Sequence, residues 1–239
     1  MMKLQVTTNA LLLLSISLLA VYFGIGIFFD LALVLYIKPC IIPSFMLYVV
    51  AKHFDKLTLN YLLFVLFFYC NEVLLLYYEN SVHLFRAAMI ASFFCYLALV
   101  TLGYNSIKAR KIYTFPKGYT LFIFIINAAF LLAILYILTS AIGDIYLDII
   151  IICNALLTIF LSATAVLYLA KFANKKAYYY FFGSFALIFN DVFAAIGTYF
   201  IDHVVLNTFD RVLHYTSFYL IYLFVVKDKK KAKNLITDL

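Results

Sequence analysis

The chain consists of apolar runs about as long as a bilayer is thick, separated by short polar breaks, and few folds accept that pattern. A hydrocarbon core of about 30 Å takes roughly 20 mostly apolar residues in a helix. Eight such runs can be read, at 9–29, 31–50, 58–78, 83–103, 118–140, 146–170, 178–201 and 205–226. They are continuous and lack the two-residue alternation of a membrane β-strand. The expected fold is therefore all-α, a polytopic membrane helix bundle of eight transmembrane helices forming one integral domain over residues 1–239. Composition agrees. Hydrophobic residues make 67% of the chain and charged residues 12%, against about 45–50% and 25% in soluble domains. The first run follows Lys3 as in a signal peptide, but its length fits a span better than an h-region.

The placement of charge gives an orientation. With the N-terminus inside, the inner segments carry 15 of the 18 basic residues. These are Lys3, "AKHFDK", "NSIKARKIYTFPK", "KFANKK" and the basic tail 227–239. The outer segments hold Asp30, "ENS", "GDIYLD" and "IDHVVLN", which are acidic or neutral. Cytoplasmic loops concentrate lysine and arginine, so both termini are expected in the cytoplasm. The expected location is a bacterial inner membrane, crossed many times. A net charge of +7 is thereby assigned to membrane orientation and not to nucleic acid. Pro39 and Pro43 in the second run predict a kink or break there. The four cysteines lie within apolar runs without a CxxC pair, which suggests neither a disulfide framework nor a zinc site.

Three charged residues fall well inside these runs: Lys38, Glu72 and Asp191. Each costs about 2.5–3.5 kcal/mol to insert, so each needs a partner or a wet cavity. At about 1.5 Å per residue, Glu72 and Asp191 lie roughly 20 Å from the inner ends of their spans. Lys38 lies roughly 10 Å from the outer side, which is the same plane. Asn71 and Asn190 adjoin the acids in matching "NEV" and "NDV" triplets, and His214 and Asn154 fall near that level. Polar groups from five helices are thus expected in one layer. A purely structural Lys–carboxylate pair, or a His214 that merely packs, remains open. Arg86 and the Asp210–Arg211 pair are expected to reach water at the outer boundary. The tyrosines are expected in the interfacial belt and core.

Two buried carboxylates at one depth cannot both ionise easily, so near neutrality one can hold a proton while the other does not. That is a general acid beside a general base. It requires no metal, nucleotide or other cofactor.

"YIKPCIIP" at 36–43, "NEVLLL" at 71–76 and "GSFALIFND" at 183–191 together resemble the lysoplasmalogenase, or YhhN-like, family of integral membrane proteins. The resemblance spans most of the chain in order. Glu72 stands where the family has an aspartate. Cys95 and Tyr96 stand where the fourth span tends to carry a histidine, and the last span lacks a glutamine near Tyr219. What the resemblance implies is hydrolysis of the vinyl-ether bond of a lysoplasmalogen, with a lysophospholipid or other lipid as substrate. Glu72 and Asp191 would then be catalytic. Lys38, Asn71, Asn190 and His214 would bind substrate or tune the acids. A proton-coupled transporter and a non-catalytic protein binding lipid or a partner are the alternatives.

Overall fold

The computed structural model describes residues 2–28, 31–77, 81–108, 118–142, 144–200 and 204–227. They form eight α-helices: α1 Met2–Phe28, α2 Leu31–His53, α3 Leu59–Leu75, α4 Val82–Lys108, α5 Tyr119–Ile142, α6 Ile145–Phe172, α7 Lys175–Tyr199 and α8 Val204–Val226. A single 3-10 turn, Phe54–Lys56, links α2 to α3. Each expected apolar run has its helix, most with ends displaced by a few residues; α4 runs further, to Lys108. Five helices are long and apolar enough to cross a membrane, on α1 and α4–α7, and α3 is a shorter apolar helix. The tail beyond Lys227, Asp30 and most of the loop between α4 and α5 lie outside the described residues.

The starts of several helices are written locally. Thr58, Asp144 and Asn174 sit in extended backbone and accept bonds from Tyr61 N, from Tyr146 N and Leu147 N, and from Ala177 N. These side chains satisfy amides that the first helical turn leaves without partners. Of the kink or break expected in α2, a break does not occur, for the helix continues through both Pro39 and Pro43. Pro43 removes one intrahelical donor. Just beyond it, the Ser44 hydroxyl donates to Ile41 O at 2.7 Å within the same turn.

Neighbouring helices pack as pairs, α1 on α2, α3 on α4, α5 on α6 and α7 on α8, with α4 also against α6. Ring contacts draw α8 into the middle of the bundle. Phe218 meets Phe45 of α2 and both Phe64 and Phe68 of α3, while Tyr215 meets Tyr22 of α1. Large apolar side chains point outward in quantity; Leu13, Phe122 and Phe160 are each 60% exposed or more. Such a surface suits lipid and not water. The interior is mostly apolar as well, yet Glu72 within it is 1% exposed.

At one end of the bundle, lysines close the helix termini. Lys171 donates to Ile107 O at 3.0 Å, and Lys227 donates to the Tyr179 hydroxyl while lying over its ring. At the other end Arg86 donates to Asp144 at 2.6 Å, joining α4 to the start of α6. That bond from Arg86 holds the Asp144 carboxyl below the usual carboxylate range, aided by the two capping amides. Arg86, expected to reach water, is partly exposed and also has this partner.

Candidate functional site

A cavity of about 360 Å³ opens among the helices, and every one of the eight contributes to its wall. Lys38, Asn71, Glu72, Asn154, Asn190, Asp191 and His214 all line it. These are the residues that depth along the spans grouped into one layer. Apolar side chains line it too, among them Phe85 and Met89 of α4, Leu131 and Leu138 of α5 and Ile151 of α6. The cavity therefore combines a polar cluster with surface suited to hydrocarbon. Its volume falls in the range of small-molecule sites, about 300–1,000 Å³.

The two carboxylates do not hydrogen-bond to each other. Each is held by a tyrosine from a different helix. The Tyr215 hydroxyl of α8 donates to Glu72 Oε1 on α3 at 2.9 Å. The Tyr96 hydroxyl of α4 donates to Asp191 Oδ2 on α7, and Asn190 Nδ2 donates to Asp191 Oδ1 at 3.2 Å. Tyr96 is 2% exposed and Tyr215 8%. Both tyrosines, expected in the belt or core without chemistry, touch the candidate acids directly. Glu72 Oε2, buried, has no hydrogen-bond partner among the described residues.

His214 lies beside Glu72. Its ring stacks on Phe68, with centroids 4.4 Å apart, and its Nε2 lies 3.6 Å from Glu72 Oε1. It is also within electrostatic reach of Asp191 and of Asp210. Packing and polar roles thus coincide in one residue, because the stacking fixes the ring while leaving Nε2 on the cavity side. Asn154 bridges helices, donating from Nδ2 to Met89 O at 2.9 Å, while its Oδ1 has no hydrogen-bond partner.

No family model, curated protein or solved structure matches this chain. The family resemblance consequently rests on the three motifs, and the site has to be read from its own groups.

Asp210 and Arg211 depart from expectation. They line the cavity instead of turning outward, and Asp210 lies close to Lys38 and Arg211. Arg211 also covers the face of Tyr22, with its guanidinium carbon 5.6 Å from the ring centroid. Lys38 therefore faces Asp210 as well as the open cavity. Depth along the span did indicate this position, since His214 is one helical turn beyond Asp210. The signal was present but was outweighed by nearness to the span end. Among the described residues, no cluster of three His, Cys, Asp or Glu side chains could hold a metal ion.

Proposed function

We propose that this chain is a multi-pass protein of a bacterial cytoplasmic membrane, with eight crossings and both termini inside, that hydrolyses the vinyl-ether bond of a lysoplasmalogen-type lipid. The observation that carries the reading is the cavity itself, with two tyrosine-held carboxylates and a hydrocarbon-compatible lining inside an apolar helix bundle. A lipid chain can lie along α4–α6 while the reacting end meets Glu72 and Asp191. One carboxyl delivers a proton to the vinyl-ether carbon that carries the alkyl chain, β to the ether oxygen, leaving an oxocarbenium ion at the carbon bonded to oxygen. The other carboxylate takes a proton from water as that water adds to the cation. The hemiacetal then collapses to a fatty aldehyde and a glycerophospho-alcohol. Lys38 and Arg211 supply positive charge for the phosphate, and His214 orients Glu72.

The test is aldehyde release by purified protein supplied with a lysoplasmalogen. Glu72→Gln and Asp191→Asn are each expected to abolish release while the protein still inserts and folds. Full activity in either variant would overturn the assignment.

A proton-coupled carrier is the second reading, favoured by the recurrence of an Asn-acid-Val triplet four helices apart. Solute uptake into vesicles that depends on a proton gradient, without aldehyde release, would select it.

A further inference from the structure

The "NEV" and "NDV" triplets are part of a longer register. One shift of 119 residues (191 − 72) places Asn71, Glu72 and Val73 on Asn190, Asp191 and Val192. With no gap, the same shift places Tyr61 on Tyr180 and Tyr96 on Tyr215. It also places Lys52 on Lys171, Lys56 on Lys175 and Lys108 on Lys227. Two helix ends follow it, while the other boundaries differ by two to five residues. The end of α2 at His53 falls on the end of α6 at Phe172, and the end of α4 at Lys108 falls one residue past the end of α8 at Val226. Identities are sparse over the full length, yet they include both asparagines, both tyrosines and the lysines at the helix ends.

The packing repeats as well. Tyr61 and Tyr180 are both fully buried, and each reaches the preceding helix, Tyr61 to Met46 Sδ on α2 and Tyr180 to Thr164 Oγ1 on α6. Thr8 and Asn127, also one shift apart, are buried polar positions on α1 and α5, at 7% and 4% exposure. α8 meets α2 through ring contacts of Phe45 with Phe218 and Tyr222, whereas α4 packs far more extensively on α6, so this part of the packing does not repeat. Most telling are the crossed bonds. The tyrosine of α4 serves the acid of α7, and the tyrosine of α8 serves the acid of α3. A two-fold relation between halves α1–α4 and α5–α8 produces that exchange as a matter of geometry. Because four helices separate the equivalents, the halves are parallel repeats, whose shared interface is the usual place for a membrane site.

We infer that the chain is an internal duplication of two four-helix halves, and that Tyr96 and Tyr215 are matched positioning residues, each holding the carboxylate of the opposite half. The shared part of the site is an acid, an asparagine and a tyrosine. The charged groups that break the repeat are Lys38, Asp210, Arg211 and His214, whose equivalents are Leu157, Ala91, Ser92 and Cys95. The duplicated frame thus supplies two carboxylates, and unpaired substitutions make them different from each other.

The inference needs no substrate, so a negative hydrolase assay leaves it standing. Full-length protein in lipid nanodiscs is titrated with pH by infrared difference spectroscopy, and Glu72→Gln and Asp191→Asn assign the two carboxyl bands. Tyr96→Phe is expected to move only the Asp191 band and Tyr215→Phe only the Glu72 band. Loss of an O–H donor shifts a carboxyl C=O stretch to higher wavenumber. A band that stays in place in its tyrosine variant, or a shift of the other acid's band, overturns the assignment. Should a phenylalanine variant fail to fold, 3-fluorotyrosine at position 96 or 215 keeps the ring and is a stronger donor. It is expected to shift the same band downward, and no shift would again refute the pairing.

Discussion

The hydroxyl of Tyr215 reaches across from α8 to Glu72 on α3, and the 2.9 Å bond between them fixes where the longer of the two acids ends. A glutamate extends one methylene further than the aspartate at the equivalent position in α7. Its reach is therefore set by a partner supplied from another helix.

Glu72→Asp is expected to draw the carboxyl back by roughly 1.5 Å, one C–C bond, and so to break the contact with Tyr215. Leaving a buried hydrogen-bonding group without its partner costs about 1–3 kcal/mol. The measurement is aldehyde release and thermal unfolding together. Activity is expected to fall at least tenfold while folding is kept, and full activity would show that the longer arm is not needed.

Lys38→Met retains the aliphatic stem and removes the charge. If Lys38 holds the substrate phosphate, KM is expected to rise roughly 10- to 100-fold with kcat little changed, as for a lost charge-assisted bond of about 1.5–3 kcal/mol. A fall in kcat at constant KM would instead assign Lys38 to the acids.

Gly103→Ala tests the packing beside the site. A Cβ there would overlap the Tyr180 hydroxyl, which donates to Leu99 O at 2.9 Å and meets Thr164 at 3.2 Å. Overpacking of this kind costs about 1–3 kcal/mol, and a fall of roughly 2–8 °C in melting temperature is expected. Gly24→Ala is the control, since an added Cβ there meets nothing within 4 Å.

Asp144 predicts an acid dependence. Arg86 lowers its folded-state carboxyl below the ordinary value of about 4. Its stabilisation is therefore fully present above that value and is lost as pH falls through the lower folded one. Thermal melts of the wild type are expected to weaken over that acidic window. Asp144→Asn, which keeps an N-cap and loses the ion pair, is expected to weaken less there.

Orientation is testable with reporter fusions. A fusion after Asn80 is expected to report the outer side and one after Leu239 the cytoplasm. The reverse result at either point would refute the charge-based topology.

The helices were legible from sequence because a span advertises itself in one dimension, through about 20 apolar residues bounded by polar ones. Depth was legible for the same reason, since rise per residue is constant, and it placed Lys38, Glu72, Asp191, Asn154 and His214 in one layer. Depth says nothing about the direction a side chain faces or which helix stands opposite. Tyr96 and Tyr215 were therefore lost among 21 tyrosines, and Asp210 and Arg211 were expected to turn toward water. The unbroken course of α2 through two prolines also depended on the packing around it. Sequence by itself determined the number, order and approximate extent of the helical elements, because each apolar run is set by its own residues. Only the tertiary structure decided that each acid is held by a tyrosine of the opposite half. That pairing joins residues 95 and 143 positions apart, and only the packed bundle brings them within a hydrogen bond.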